Sequence, residues 1–172
     1  NKLLVVAVSM VIPACIPSLH SLYTDKETPI DPAVVGDWVQ DNQDSTWLFA
    51  KKDNSAYRLI YTDKDGRPGE FEARLVKLGK LMFLDLFPDD PKLPENAYYK
   101  FHLLRAHTFL KVSVSASDMQ LAGMDPTWLM SLLQSDPDAI RHETVNGTIV
   151  FTASPKELQE FVMKHGGDSK AF

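Results

Sequence analysis

The chain contains one cysteine, Cys15, whose position suits its thiol to covalent chemistry. Lys2 precedes a run of mainly apolar residues at 3–12, and the small residue Ala14 comes directly before Cys15. A charged start, about ten apolar residues and small residues before a break are the layout of an export signal. A lone cysteine cannot form an intramolecular disulfide, so in an oxidising compartment its thiol is suited to a thioether. We therefore expect a signal peptide over 1–14 and modification of Cys15.

The other candidate side chains do not assemble a catalytic or metal site. His102 and His107 are five residues apart, which places them on opposite faces of a strand, and no nearby Cys or third His completes a ligand set. No Gly-x-Ser-x-Gly stretch or nucleophile–base pair is visible, so the sequence favours a non-enzymatic role without metal or cofactor. Asp85 lies within an apolar strand, where an unpaired carboxylate is costly. A salt bridge or a polar contact inside a barrel is favoured over catalysis.

Aromatic side chains are the remaining candidates for binding. They fall at alternating positions of the predicted strands, so several face one interior if the sheet closes. That interior is either filled by side chains or open to an apolar ligand. The candidate ligand-binding residues are Trp47, Tyr57, Tyr61, Phe83, Asp85, Tyr99 and Phe101.

Short segments with a period of two alternate with hairpin turns, which predicts a mainly β fold. The predicted strands are 35–39, 46–49, 56–62, 71–75, 81–87, 98–104, 109–114, 119–122, 142–145 and 148–151. Residues 81–87 are apolar on both faces, which is typical of a central strand covered on both sides. This succession favours an antiparallel curled sheet or barrel of the lipocalin or calycin kind.

Two short helices are predicted toward the C-terminus. Asp125 and Pro126 provide an N-cap and a first-turn proline for a helix through residue 134. Ser154 and Pro155 begin the second helix, which ends at Gly166.

Composition and charge restrict the classes of function. The chain is 44% hydrophobic and 24% charged, which is typical of a folded domain. Its net charge of -5 argues against nucleic acid as a partner and against a polybasic membrane patch. Residues 15–33 contain several prolines and predict a lipid anchor and tether, with Leu19, Leu22 and Tyr23 docked on the domain. Residues 34–172 predict a single β-rich domain.

The sequence before Cys15 resembles the lipobox of bacterial lipoproteins. Ile12, Pro13 and Ala14 supply its aliphatic, variable and small positions, although proline departs from the usual residue. The chain as a whole resembles an uncharacterised family of such lipoproteins over residues 13–15, 17–24, 36–38, 69–73, 84–86 and 152–154. The resemblance implies a lipid anchor at Cys15 in the cell envelope but no activity. Ile16 is not the Asp that retains some lipoproteins at the inner membrane, which favours the periplasmic face of the outer membrane.

A second, shorter resemblance is to the lipocalins. Gly36 and Trp38 match the Gly-x-Trp signature at the start of the first strand, where the family's Trp closes one end of the barrel and packs on a basic residue. Arg141 is the candidate partner of Trp38 here. The helix expected at 127–134 departs from the lipocalin order.

Two functions remain open at this point. The first is a membrane-anchored lipoprotein whose barrel binds an apolar small ligand or lipid. The alternative is an accessory subunit of a larger envelope complex, with a filled and non-binding core. A hydrolase ranks third and would require Asp85 and a histidine to converge in a pocket.

Overall fold

The computed structural model describes residues 2–6, 15–24, 26, 28–40, 44–90 and 96–172. The strands are β1 (Lys2–Val6), β2 (Gly36–Gln40), β3 (Thr46–Lys51), β4 (Tyr57–Thr62), β5 (Pro68–Leu78), β6 (Leu81–Pro88), β7 (Thr108–Val114), β8 (Asp118–Ala122), β9 (His142–Val145) and β10 (Thr148–Phe151). The α-helices are α1 (Ala97–Phe101), α2 (Pro126–Ser135) and α3 (Pro155–His165), and a 3-10 turn spans Pro32–Val34. None of the described helices combines the length and hydropathy that crossing a bilayer requires.

The main sheet is an antiparallel meander from β2 to β8, in which each strand pairs with the next along the chain. It is nearly closed into a barrel, and β1 completes the closure by pairing in parallel with both β2 and β8. The mainly β, barrel-like fold predicted from the sequence is therefore confirmed. β9 and β10 form a separate hairpin. Its turn places Asn146 at φ 50° and Gly147 at φ 80°, the positive values that a two-residue hairpin loop requires.

The interior of the barrel is packed with apolar side chains. Strand alternation sends every second residue inward, and the buried cluster that results contains Val34, Trp38, Phe49, Tyr57, Leu59, Ala73, Leu75, Leu84, Leu86, Leu110, Val112, Met119 and Leu121. We call this the barrel core.

A second core forms on the outside of the sheet. Alternate residues of β5, β6 and β7 face outward there and pack against α2, α3 and the β9–β10 hairpin. Its members include Leu22, Val76, Phe83, Phe109, Leu129, Phe151, Leu158, Phe161 and Val162. β6 separates the two cores, with Leu84 on one side and Phe83 on the other, so it is covered on both faces as predicted.

The two C-terminal helices lie where they were predicted. The Asp125 side chain accepts a hydrogen bond from the backbone N–H of Trp128 at 2.7 Å and caps α2. Ser154 and Glu157 form a reciprocal capping box at the start of α3.

The strand predicted over 98–104 is wrong, because residues 97–101 form α1 instead. The Asn96 side chain accepts a hydrogen bond from the backbone N–H of Tyr99 at 2.8 Å. This N-cap stabilises a helical turn where the aromatic alternation had indicated a strand. Tyr99 and Phe101 therefore lie on a helix and not on the sheet.

Candidate functional site

The residues that follow Cys15 are hydrogen-bonded into the domain. The backbones of Ser18 and His107 exchange two hydrogen bonds of 2.8 Å, which extends the sheet at the start of β7. On its other side the same segment pairs with Phe151: the N–H of Leu19 donates to the Phe151 carbonyl, and the N–H of Phe151 donates to the Pro17 carbonyl, both at 2.9 Å. The segment therefore bridges the barrel and the β9–β10 hairpin.

Leu22, like Ser18, has no accessible surface. Its backbone N–H donates to Oδ2 of Asp85 at 2.7 Å, and its carbonyl accepts a hydrogen bond from the Gln159 side chain at 3.0 Å. Both polar groups of a buried backbone are thus satisfied by side chains, as burial requires. Tyr23 is partly buried, whereas Leu19 is 46% exposed.

Asp85 joins this segment to His107. The carboxyl group is 1% exposed, and its Oδ1 lies 2.7 Å from Nδ1 of His107. The two carboxylate oxygens therefore accept from two groups, the Leu22 N–H and the imidazole. We call Asp85, His107 and Leu22 the clasp. It supplies the salt-bridge partner that the sequence could not identify for Asp85, and it faces the second core, because Asp85 alternates with the barrel-facing Leu84 and Leu86.

Aromatic rings enclose the imidazole of the clasp. Phe87 stacks on His107 at 4.4 Å between ring centroids, and Tyr23 meets it edge-on at 6.2 Å. The guanidinium groups of Arg105 and Arg74 lie over Phe87 and Tyr23, at 4.7 and 4.8 Å from the ring centroids. The His107 side chain is only 12% exposed as a result.

The clasp contains two of the three groups of a nucleophilic triad. Within the described part of the chain, however, no serine or cysteine side chain is hydrogen-bonded to His107. Ser18, the serine paired with it through the backbone, donates its hydroxyl to the carbonyl of His20 at 2.7 Å. The contacts of Asp85 and His107 hold the N-terminal segment in place.

The barrel-facing members of the predicted ligand set are Trp47, Tyr57 and Tyr61. The Tyr57 hydroxyl accepts from the Asp31 N–H at 2.6 Å and donates to the Asp31 carbonyl at 3.1 Å, and burial raises the pKa of Tyr57. Trp47 and Tyr61 are partly buried, with ring centroids 5.0 Å apart. Among the residues that the structure describes, Nε1 of Trp47 is buried and has no hydrogen-bond partner.

The barrel core leaves little space for an enclosed ligand. A side chain that lines a cavity wide enough for water has accessible surface inside that cavity. The accessible surface is 0% for each of five residues of the barrel core, Trp38, Tyr57, Leu59, Ala73 and Leu75. These side chains border no such cavity. Two depressions, of about 590 and 380 Å³, open to the surface, and none of the seven predicted ligand residues lines either. The smaller one is lined by Val112 of the barrel core and by Met82 and Val114, which pack against that core.

The remaining predicted residues are dispersed. Phe83 and Asp85 lie in and beside the second core, while Tyr99 and Phe101 are exposed on α1. The structure thus brings together Trp47 and Tyr61 but does not gather the seven residues into one site.

The lipocalin-type residues lie on two elements: Gly36 and Trp38 on β2, and Arg141 directly before β9. Gly36 begins β2 with φ 139°, a value that favours glycine, and the buried Trp38 donates its Nε1–H to the Val34 carbonyl at 2.9 Å. Arg141 is bound to Glu157 at 2.6 Å in an exposed ion pair.

Cys15 is exposed, three residues before Ser18. In the described ranges, His, Cys, Asp and Glu side chains form no group of three that could hold a metal ion. His102 contacts the rings of Tyr98 and Phe101, whereas His107 belongs to the clasp.

No protein-family model matches the chain, and no similar protein is found among curated proteins or solved structures.

Proposed function

We propose that the chain is a lipid-anchored domain of the bacterial envelope, attached through Cys15, that acts as an interaction subunit and not as a carrier of an enclosed ligand. The hydrogen-bonded course of residues 17–22 supports this function most directly. Those residues connect the anchor to the barrel and to the β9–β10 hairpin. The position of the anchor therefore determines how the domain lies on the membrane.

The short connection limits the freedom of the domain. Cys15 is three residues from Ser18, which spans at most about 10 Å of extended chain. A lipid on Cys15 would therefore hold the domain close to the bilayer surface with a restricted orientation. A flexible tether through residue 33 would allow much wider movement.

With β1 in place the barrel core is filled, which supports the interaction role over an enclosed ligand. An apolar ligand is the second candidate, and the observation in its favour is the pair Trp47 and Tyr61 with its unpartnered indole N–H. Trp47 packs against the barrel core from its border and Tyr61 lies beside Trp47, so such a ligand would bind there and not in the centre. Native mass spectrometry of protein purified from membranes tests it. A co-purifying ligand that is lost in Trp47→Leu supports the second candidate, and a bare protein mass contradicts it.

Processing before Cys15 has a consequence for the sheet. It removes β1 and leaves β2 and β8 as edges that run parallel to each other. Unpaired edges are sites at which a partner adds a strand. An interaction role is consistent with an edge of this kind.

Metabolic labelling with an alkynyl fatty acid tests the anchor. The wild type should take up the label and sediment with membranes. Cys15→Ser should lose the label, whereas the exposed Ser117→Ala should retain it. A label that persists in Cys15→Ser would overturn the anchor.

A further inference from the structure

Helix α1 and the two leucines after it expose a group of apolar side chains. The exposed fractions are 76% for Tyr98, 53% for Tyr99, 79% for Phe101, 40% for Leu103 and 82% for Leu104. We call these five residues the α1 patch. At about 150–250 Å² for a large aromatic side chain, they present roughly 600 Å², the upper end for the largest apolar patch of an ordinary monomer.

The fold gives α1 little support of its own. The helix has five residues, and none of them is buried. Helices shorter than about 12 residues are marginal in water without tertiary packing. The N-cap at Asn96 satisfies one backbone N–H but covers no apolar surface. An apolar environment outside the domain would therefore supply packing that α1 lacks.

The composition of the α1 patch matches a lipid interface. Tyrosine rings place an apolar body beside a polar hydroxyl, and they are enriched where hydrocarbon meets headgroups. Lys100, on the same helix, is exposed and long enough to reach lipid phosphates while its stem stays among apolar groups. Arg105 is held by Asp90 at 3.1 Å and lies over Phe87, so it does not contribute a free cation.

The chain path places the α1 patch near the anchor. Leu104 is three residues before His107, His107 pairs with Ser18, and Ser18 is three residues after Cys15. Two extended spans of three residues and one strand spacing limit the Cys15–Leu104 separation to about 25 Å. Both can therefore contact the same bilayer surface.

We propose that the α1 patch is a second membrane contact, inserting between the headgroups and acyl chains of the bilayer to which Cys15 is attached. The inference rests on the proposed anchor for its setting, but the binding itself requires no lipid on Cys15. One lipid chain gives only marginal attachment, and a second contact makes it stable.

Vesicle flotation with non-lipidated protein tests the α1 patch apart from the anchor. The Cys15→Ser chain, purified without residues 1–14, is mixed with vesicles of phosphatidylethanolamine and phosphatidylglycerol. It should float with them, and Phe101→Ser with Leu104→Ser should lower partitioning at least tenfold. Met130→Ser with Met163→Ser is the matched control, because those side chains are 47% and 48% exposed on other helices. The control should change partitioning less than twofold.

A second measurement does not depend on the serine variants. In the Cys15→Ser background, Phe101→Cys carries the only thiol and accepts an environment-sensitive fluorophore. Its emission should shift to the blue on addition of vesicles, while the same label at Met130→Cys should not.

Two results would overturn the lipid contact. The first is absence of vesicle binding, including the case in which the patch mediates self-association that Phe101→Ser with Leu104→Ser abolishes. The second is an equal loss of partitioning in the patch and control variants. Each of them leaves the fatty-acid labelling of Cys15 unaffected, so failure of the α1 patch and failure of the anchor are distinguishable.

Discussion

Replacing Asp85 with alanine should release the N-terminal segment and destabilise the domain. The carboxylate is 1% exposed and binds the Leu22 N–H and the His107 imidazole, both at 2.7 Å. Its removal leaves two buried polar groups without a partner, at about 1–3 kcal/mol each. We expect the free energy of unfolding to fall by about 2–6 kcal/mol, the sum for the two buried groups that lose their partner.

Asp85→Asn tests the charge of the carboxylate separately from its hydrogen bonds in the clasp. The asparagine carbonyl can still accept from the Leu22 N–H and the amide group still faces Nδ1 of His107, so the variant keeps both positions and replaces the carboxylate with an uncharged group. We expect a loss of about 1–2 kcal/mol for this variant. Asp138→Ala, at an exposed turn position, is the control and should change stability by less than about 0.5 kcal/mol.

Urea unfolding followed by tryptophan fluorescence measures these differences, and limited trypsin digestion reports on the segment itself. In Asp85→Ala, cleavage after the exposed Lys26 should accelerate before the rest of the domain is cut. An Asp85→Ala variant within 1 kcal/mol of the wild type, with unchanged cleavage at Lys26, would refute the role of the clasp.

Three further changes test other parts of the fold. Hydrogen bonds from Arg141 and then from the N-cap serine lower the pKa of Glu157 to about 2, so the stability that ionised Glu157 adds to the domain should be lost as pH falls from 4.5 toward 2. Glu157→Gln should flatten that part of an acid-unfolding curve, and an unchanged slope would contradict this role. Desolvation and then the neighbouring lysine lower the pKa of His165, so the wild type should lose stability below pH 6.5. Thermal unfolding at pH 7 and pH 5 should show a smaller loss of stability in His165→Gln. At Gly166 a Cβ would lie 2.5 Å from a backbone carbonyl oxygen, so Gly166→Ala should lower the free energy of unfolding in urea by about 1–3 kcal/mol. A Cβ at Gly167 would meet nothing within 4 Å, so Gly167→Ala should cost far less. Equal effects of the two variants would contradict this packing.

Much of the fold was predictable because its signals are local. Alternating strands, the Asn146–Gly147 turn and the caps at Asp125 and Ser154 each act within a few residues. α1 was mistaken for a strand because its aromatics alternate and its deciding signal is one asparagine cap at Asn96.

The candidate site depended on long-range contacts that sequence spacing does not encode. Asp85 required a partner, but nothing local identifies His107, 22 residues away, or the backbone of Leu22, 63 residues away. The prolines before residue 33 indicated an extended segment, and extended backbone is also what sheet pairing at Ser18 requires. Composition could not distinguish a docked segment from a free tether.

We propose that Cys15 becomes the lipid-bearing N-terminus of a domain held directly at the membrane. Peptide mass spectrometry of protein extracted from bacterial membranes measures this. We predict an N-terminal peptide that begins at Cys15 and carries the added mass of a thioether-linked lipid. A peptide that continues through residues 1–14 with an unmodified Cys15 thiol would contradict it.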